Sequence, residues 1–149
     1  CFRASKEVTC TYSHDSETRI AMILDTSFFI DLLRGLPAAA EKAEMLDKQS
    51  APLFTTAVSV FELWQGVHDA SAAERDRVLH LLEGVSLYPL DFAGACTAGE
   101  IFDTLRREGR ELDPEDCMIA GIALTRSEAV LTRNVNHFSR VRGLTVEPY

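Results

Sequence analysis

AMILDTSFFIDLLRG, residues 21–35, decides the fold. AMIL is a short continuous apolar run, the pattern of a strand buried on both faces of a parallel sheet. Phe28, Phe29, Leu32 and Leu33 then recur at helical spacing, and Gly35 and Pro37 stop the helix. Asp25 stands at the junction. A strand that hands over to a helix through a carboxylate is the unit from which the rest of the chain can be read.

The unit recurs downstream. After the helix former AAAEKAEMLDKQS, Pro52 resets the chain and LFTTA reads as a second strand. Ser59 then opens a helix through VFELWQGV, with Glu62 in its first turn. Asp69 and Ser71 offer caps to AAERDRVLHLLEG, whose apolar side carries Val78, Leu79 and Leu82. VSLYPLD reads as a third strand, and Pro89 marks it as an edge or a strand end. The helix GACTAGEIFDTLRREG closes at Gly109, and Asp113-Pro114 starts another through IAGIALTRS, with Asp116 in its first turn. AVLT and LTVEPY are the fourth and last strands. Alternation of strands and helices predicts an α/β domain of three layers, a mostly parallel sheet of four or five strands between helices. The 149 residues make one ordinary domain, read here as residues 21–149. The polar first 20 residues lack a secretory core and helical periodicity, and are expected to be a disordered or non-native leader.

Composition narrows the function. A net charge of −8 argues against broad binding of nucleic acid by the whole surface, while leaving room for a local basic rim. No apolar run approaches the roughly 20 residues of a membrane span. Four cysteines without a C-x-x-C pair exclude a zinc framework and predict a reduced, cytoplasmic protein, with Cys96 and Cys117 as buried thiols.

Asp25, Glu62 and Asp116 are each read where a predicted strand hands over to a helix, on one edge of the sheet. Each has a structural role to hand. Ser59-x-x-Glu62 is a capping box, Asp113 to Asp116 is a helix entry, and Asp25 can cap its own helix. Three carboxylates in one crevice nevertheless repel one another unless a positive partner joins them. A hard divalent cation with oxygen ligands is the partner they suit, which points to phosphoryl chemistry. In LTRNVNHF, Asn134 or Asn136 could add a neutral oxygen and Thr132, Thr26 and Ser27 hydroxyls, whereas His137 reads as a surface or packing residue. Arg34, Arg106, Arg107, Arg110, Arg133, Arg140 and Arg142 are either solvated surface or phosphate contacts.

MILDTSFFIDLLRG, TTAVSVFELWQGV, DPEDCMIAGIAL and VLTRNVNHFSRVRGLTVE, in that order, resemble PIN-domain ribonucleases, and most of all VapC-type toxins of toxin–antitoxin pairs. The resemblance spans Ala21 to Tyr149. It implies an endoribonuclease dependent on Mg²⁺ or Mn²⁺ that leaves a 5′-phosphate and a 3′-hydroxyl. It also implies a VapB-like antitoxin as partner and a homodimer. It maps the metal-binding acids onto Asp25, Glu62 and Asp116, and the fourth catalytic position, often aspartate, onto Asn134; Asp113 stands where many such proteins carry glycine. The alternative reading is a PIN-like binding domain without activity. A phosphatase using Asp25 as nucleophile is disfavoured, because Ser27 occupies the place of its second aspartate. The apolar FFIDLL and VFELW helices predict a partner groove that leaves Phe29 or Trp64 exposed.

Overall fold

The computed structural model describes residues 21–49 and 52–149; the expected leader, with Cys1 and Cys10, lies outside them. The chain runs β1 (Met22–Leu24), α1 (Thr26–Leu33), α2 (Pro37–Gln49), β2 (Leu53–Thr56), α3 (Ala57–Gly66), α4 (Ala72–Leu82), β3 (Ser86–Tyr88), α5 (Phe92–Arg107), α6 (Pro114–Arg126), β4 (Ala129–Leu131), α7 (Val135–Phe138) and β5 (Val146–Glu147). The five strands form one sheet in the order β3-β2-β1-β4-β5, and every pairing is parallel. Pro89 follows the edge strand β3, where its missing N–H breaks no ladder.

Strand parity divides the core in two. Met22, Leu24 and Leu131 point to one face, where they meet Phe28, Phe29, Leu46, Leu63 and Val78 of α1 to α4. Ile23 and Val130 point to the other, against Ile119, Ile122 and Phe138 of α6 and α7 and Leu105 of α5. This is why β1 and β4 read as unbroken apolar runs: both faces are covered. The chain winds outward from β1 through β2 to β3, then returns to lay β4 on the other side of β1. Such a reversal opens a crevice beyond the carboxyl ends of the two strands on either side of it.

Three local expectations are corrected. Helix α3 begins earlier than Ser59: Thr56 is its N-cap, accepting from Ser59 N at 3.0 Å, so the Ser59–Glu62 capping box does not form. A reciprocal box forms instead between Ser71 and Glu74 at the start of α4. Cys117 is buried as expected, but Cys96 is exposed, because α5 packs through Gly94, Ala98 and Leu105 and position 96 faces away from them. Leu79 likewise faces outward, while Val78 takes the buried side of α4.

Candidate active site

Asp25 directly follows β1 and caps α1. The carboxylate is 2% exposed, and one of its oxygens is crowded with donors. Oδ2 accepts from Ser27 Oγ at 2.7 Å, from Thr132 Oγ1 at 2.7 Å and from Ser27 N at 3.4 Å. Thr132 follows β4, so this bond crosses the switch point between the two central strands. The Asp25 N–H also extends the ladder, donating to Leu131 O at 3.0 Å. Capping and a place in the crevice are therefore the same geometry.

Glu62 lies in the second turn of α3, freed from the capping role expected of it. Its Oε2 accepts from Thr26 Oγ1 at 2.6 Å, across 36 residues of chain. Asp116 corrects the expected strand-to-helix junction: α5 and α6 are joined by a loop, and no strand directly precedes it. It reaches the crevice because α6 leads into β4 through only Ser127 and Glu128, which puts its first turn at the opposite, carboxyl edge of the sheet. There Asp116 Oδ2 lies 3.1 Å from His137 Nδ1. His137 is thus a partner of a site carboxylate, not the bystander its isolation in sequence suggested. Nothing local in LTRNVNHF signals this, since the contact depends on α7 folding back over α6.

Two of the acids respond to burial and to their charged neighbours. Burial raises the pKa of Glu62 above the ordinary carboxylate value, the Thr26 hydrogen bond opposes this, and the charges of Asp25, Asp116 and Glu115 add to the rise. Burial likewise raises Asp116, against the opposing His137 bond, and Asp25 and Asp113 push it further. Asp113 occupies the N-cap position of α6 without a side-chain capping bond, so it adds charge to the rim. Asn134 stands at the start of α7, its N–H held by Thr132 Oγ1 at 2.9 Å and its side chain making no capping bond.

The side chains as they stand do not close on one point: among the described residues, no three His, Cys, Asp or Glu groups are arranged to grip an ion. The chemistry of the set still suits a hard cation. Asp25, Glu62 and Asp116 each have one oxygen held by a hydroxyl or imidazole, and among the described residues no hydrogen bond reaches the other. Burial first, and the neighbouring carboxylates second, raise the pKa of Glu62 and Asp116, and a bound cation would oppose both.

Of the arginines, Arg106 and Arg107 pair with Asp103, and Arg110 with Glu108, on the exposed surface of α5 and the loop after it. They are the solvated face that sequence offered as one reading. Phe29 is core, at 2% exposed, whereas Trp64 keeps 47% of its surface exposed.

A parallel 3-2-1-4-5 sheet with these acids at its carboxyl edge accords with the family match: the model described as "PIN domain" covers residues 22–144. The chain belongs to the PIN-domain family. This PIN domain is 31% identical to the "tRNA(fMet)-specific endonuclease VapC" of Shigella flexneri, over 87% of the chain and 98% of that protein. Its fold matches the VapBC complex of Salmonella typhimurium bound to DNA, with a TM-score of 0.76 and 26% identity over 87% of this chain and 98% of that one. It also matches VapBC2 of Rickettsia felis bound to a promoter DNA fragment, with a TM-score of 0.79 at 18% identity, covering 87% and 99% of the two chains. The PIN domain described here is thus a nuclease of the VapC type. Among the described residues, no helix is long and apolar enough to cross a membrane.

Proposed function

We propose that this chain is a toxin endoribonuclease working in the cytoplasm, with Asp25, Glu62 and Asp116 holding Mg²⁺ or Mn²⁺ and Asn134 completing the catalytic set. The observation that carries the reading is the disposition of the three acids, each with one oxygen anchored and the other unengaged. Bound there, a divalent ion would supply Lewis acidity to the phosphate and a lowered pKa to a water. The chain's own part is to hold the ligands in place. Ser27 and Thr132 fix one oxygen of Asp25, Thr26 one of Glu62 and His137 one of Asp116, so the three unengaged oxygens are what would have to swing together onto the cation. Loss of mutual repulsion among the acids adds to the affinity.

The same reading includes a VapB-like antitoxin and a homodimer. A groove between α1, α3 and α4, lined by Ile30, Leu33, Leu63, Val67 and Arg77, opens onto Glu62. An apolar segment of the antitoxin would fill it, and a basic side chain at its end would pair with the carboxylates. Phe61 and Trp64, exposed on α3, give a second copy an apolar face.

The test compares wild type with Asp25→Asn on single-stranded RNA, in Mg²⁺, in Mn²⁺ and in EDTA. Cleavage should need the cation and vanish in the variant. Without RNA, Mg²⁺ should raise the melting temperature of wild type but not of the variant. Full cleavage by purified Asp25→Asn, or undiminished cleavage in EDTA, would overturn the assignment. RNA binding without cleavage by wild type would favour the inactive binding domain.

A further inference from the structure

A polyanion must approach a crevice lined with carboxylates on a chain of net charge −8, so some cation beside the crevice has to receive it. Arg133 is tied more closely to the site than the other arginines. It follows Thr132, the donor to Asp25, and its own N–H donates to Ser27 Oγ at 3.2 Å. Its backbone is therefore bonded into the network that fixes the central carboxylate.

The side chain is fixed as well. Arg133 Nη1 donates to Oδ1 of Asp31, whose carboxylate is 2% exposed in α1. The other oxygen of Asp31 accepts from the Tyr149 hydroxyl at 2.9 Å. A buried carboxylate without partners is costly, so this arrangement pins the guanidinium firmly. The pin uses only one nitrogen. The Arg133 side chain remains 49% exposed, and a guanidinium carries five N–H donors in a planar fork. A cation held on its inner side and open on its outer side is well suited to a phosphate.

We propose that Arg133 is a substrate-binding residue that takes a backbone phosphate of single-stranded RNA beside the carboxylate crevice, with buried Asp31 and Tyr149 as its positioning residues. The assignment rests on the ribonuclease reading above. The competing role is a purely structural latch between α1 and the segment after β4.

Salt dependence separates the two. Binding of a fluorescein-labelled oligouridylate is measured by anisotropy in the Asp25→Asn background, which leaves the RNA intact, over a range of salt concentrations. One phosphate contact contributes about 0.7 to the slope of log K against log salt for a single strand, so Arg133→Gln should lower the slope by that amount and lose about 2.6-fold less affinity between roughly 50 and 200 mM salt. The double variant Asp31→Asn/Arg133→Gln replaces the ion pair by two amides of similar shape, and should give the same reduced slope if the single variant folds poorly. With Asp25 intact, Arg133→Gln should raise KM and leave kcat nearly unchanged. An unchanged slope in the folded variants, with binding by the parent, would overturn the phosphate contact alone and leave a latch. Failure of the parent to bind the oligouridylate would overturn the ribonuclease reading and this assignment with it.

Discussion

Gly121 and Gly99 both sit inside helices, and alanine should have opposite effects at the two. A glycine in a helix interior costs about 0.8–1.0 kcal/mol relative to alanine, so propensity alone favours both substitutions. At Gly99 on α5 an added Cβ would meet nothing within 4 Å, and the full gain of about 1 kcal/mol should appear. At Gly121 on α6 the same atom would lie 2.5 Å from Gly94 O and 2.8 Å from Ala98 N, both backbone atoms of α5. Ordinary contact begins at 3.4 Å, so the two helices must part by about 0.9 Å, and neither obstacle can rotate away. Overpacking of this kind costs about 3 kcal/mol at the upper end of its usual range, which leaves a net loss of about 2 kcal/mol after the propensity gain. For a chain of this size that is a fall of roughly 4–8 °C in melting temperature for Gly121→Ala, against a rise of roughly 2–4 °C for Gly99→Ala. Thermal unfolding followed by circular dichroism measures both. Because α6 carries Asp116, the displaced helix should also lose nuclease activity at temperatures where it is still folded. A Gly121→Ala protein as stable as wild type would refute the reasoning, since it would mean that the seam between α5 and α6 can open freely.

Two further outcomes concern protonation. Burial pushes the Tyr149 hydroxyl up to about 12, so its contribution to stability is complete below its ordinary value of 10 and is lost as pH rises toward 12. Urea unfolding across that alkaline range should show the decline in wild type and a smaller one in Tyr149→Phe; equal declines would remove Tyr149 as the cause. For Asp116 the folded pKa is also raised, so metal-free stability is greater below its ordinary value of 3.8 and falls as pH climbs through the raised folded value. Asp116→Asn should therefore melt higher than wild type in EDTA at neutral pH, and a lower melting point would show that the His137 bond outweighs burial and repulsion together.

The layered architecture was legible because β1 and β4 are buried on both faces, and that burial leaves unbroken apolar runs in the sequence. Pro89 marked the edge strand for an equally local reason. Asp25 could be placed at a strand end from its immediate neighbours. The route by which Asp116 reaches the same edge could not, since it depends on how α6 packs. What failed to show in sequence is contact between distant segments. Ser59 and Glu62 satisfy the pattern of a capping box, but Thr56, three residues earlier, takes the cap, and Thr26 claims Glu62 from another helix. His137 lacked a second histidine, and its partner proved to be a carboxylate 21 residues away. Asp31 sits among apolar residues of α1, and the compensation for its burial comes from Arg133 and Tyr149, more than 100 residues later. Pattern reading sees the nearest few residues, whereas the Asp31 pairings are set by the return of the chain through β4 and β5 on the far side of β1.

That return also governs when, during synthesis, the site comes into being. Asp25 and Thr132, which share a hydrogen bond at the heart of the crevice, lie 107 residues apart in the chain. At ribosomal rates of roughly 5–20 residues per second, about 5–20 s separate the making of one from the making of the other. Through that interval β1 lacks its neighbour β4, and the segment that carries His137 has not been made. A chain that harms its host by cutting RNA would be harmless while nascent, because its crevice closes only after β4 is made.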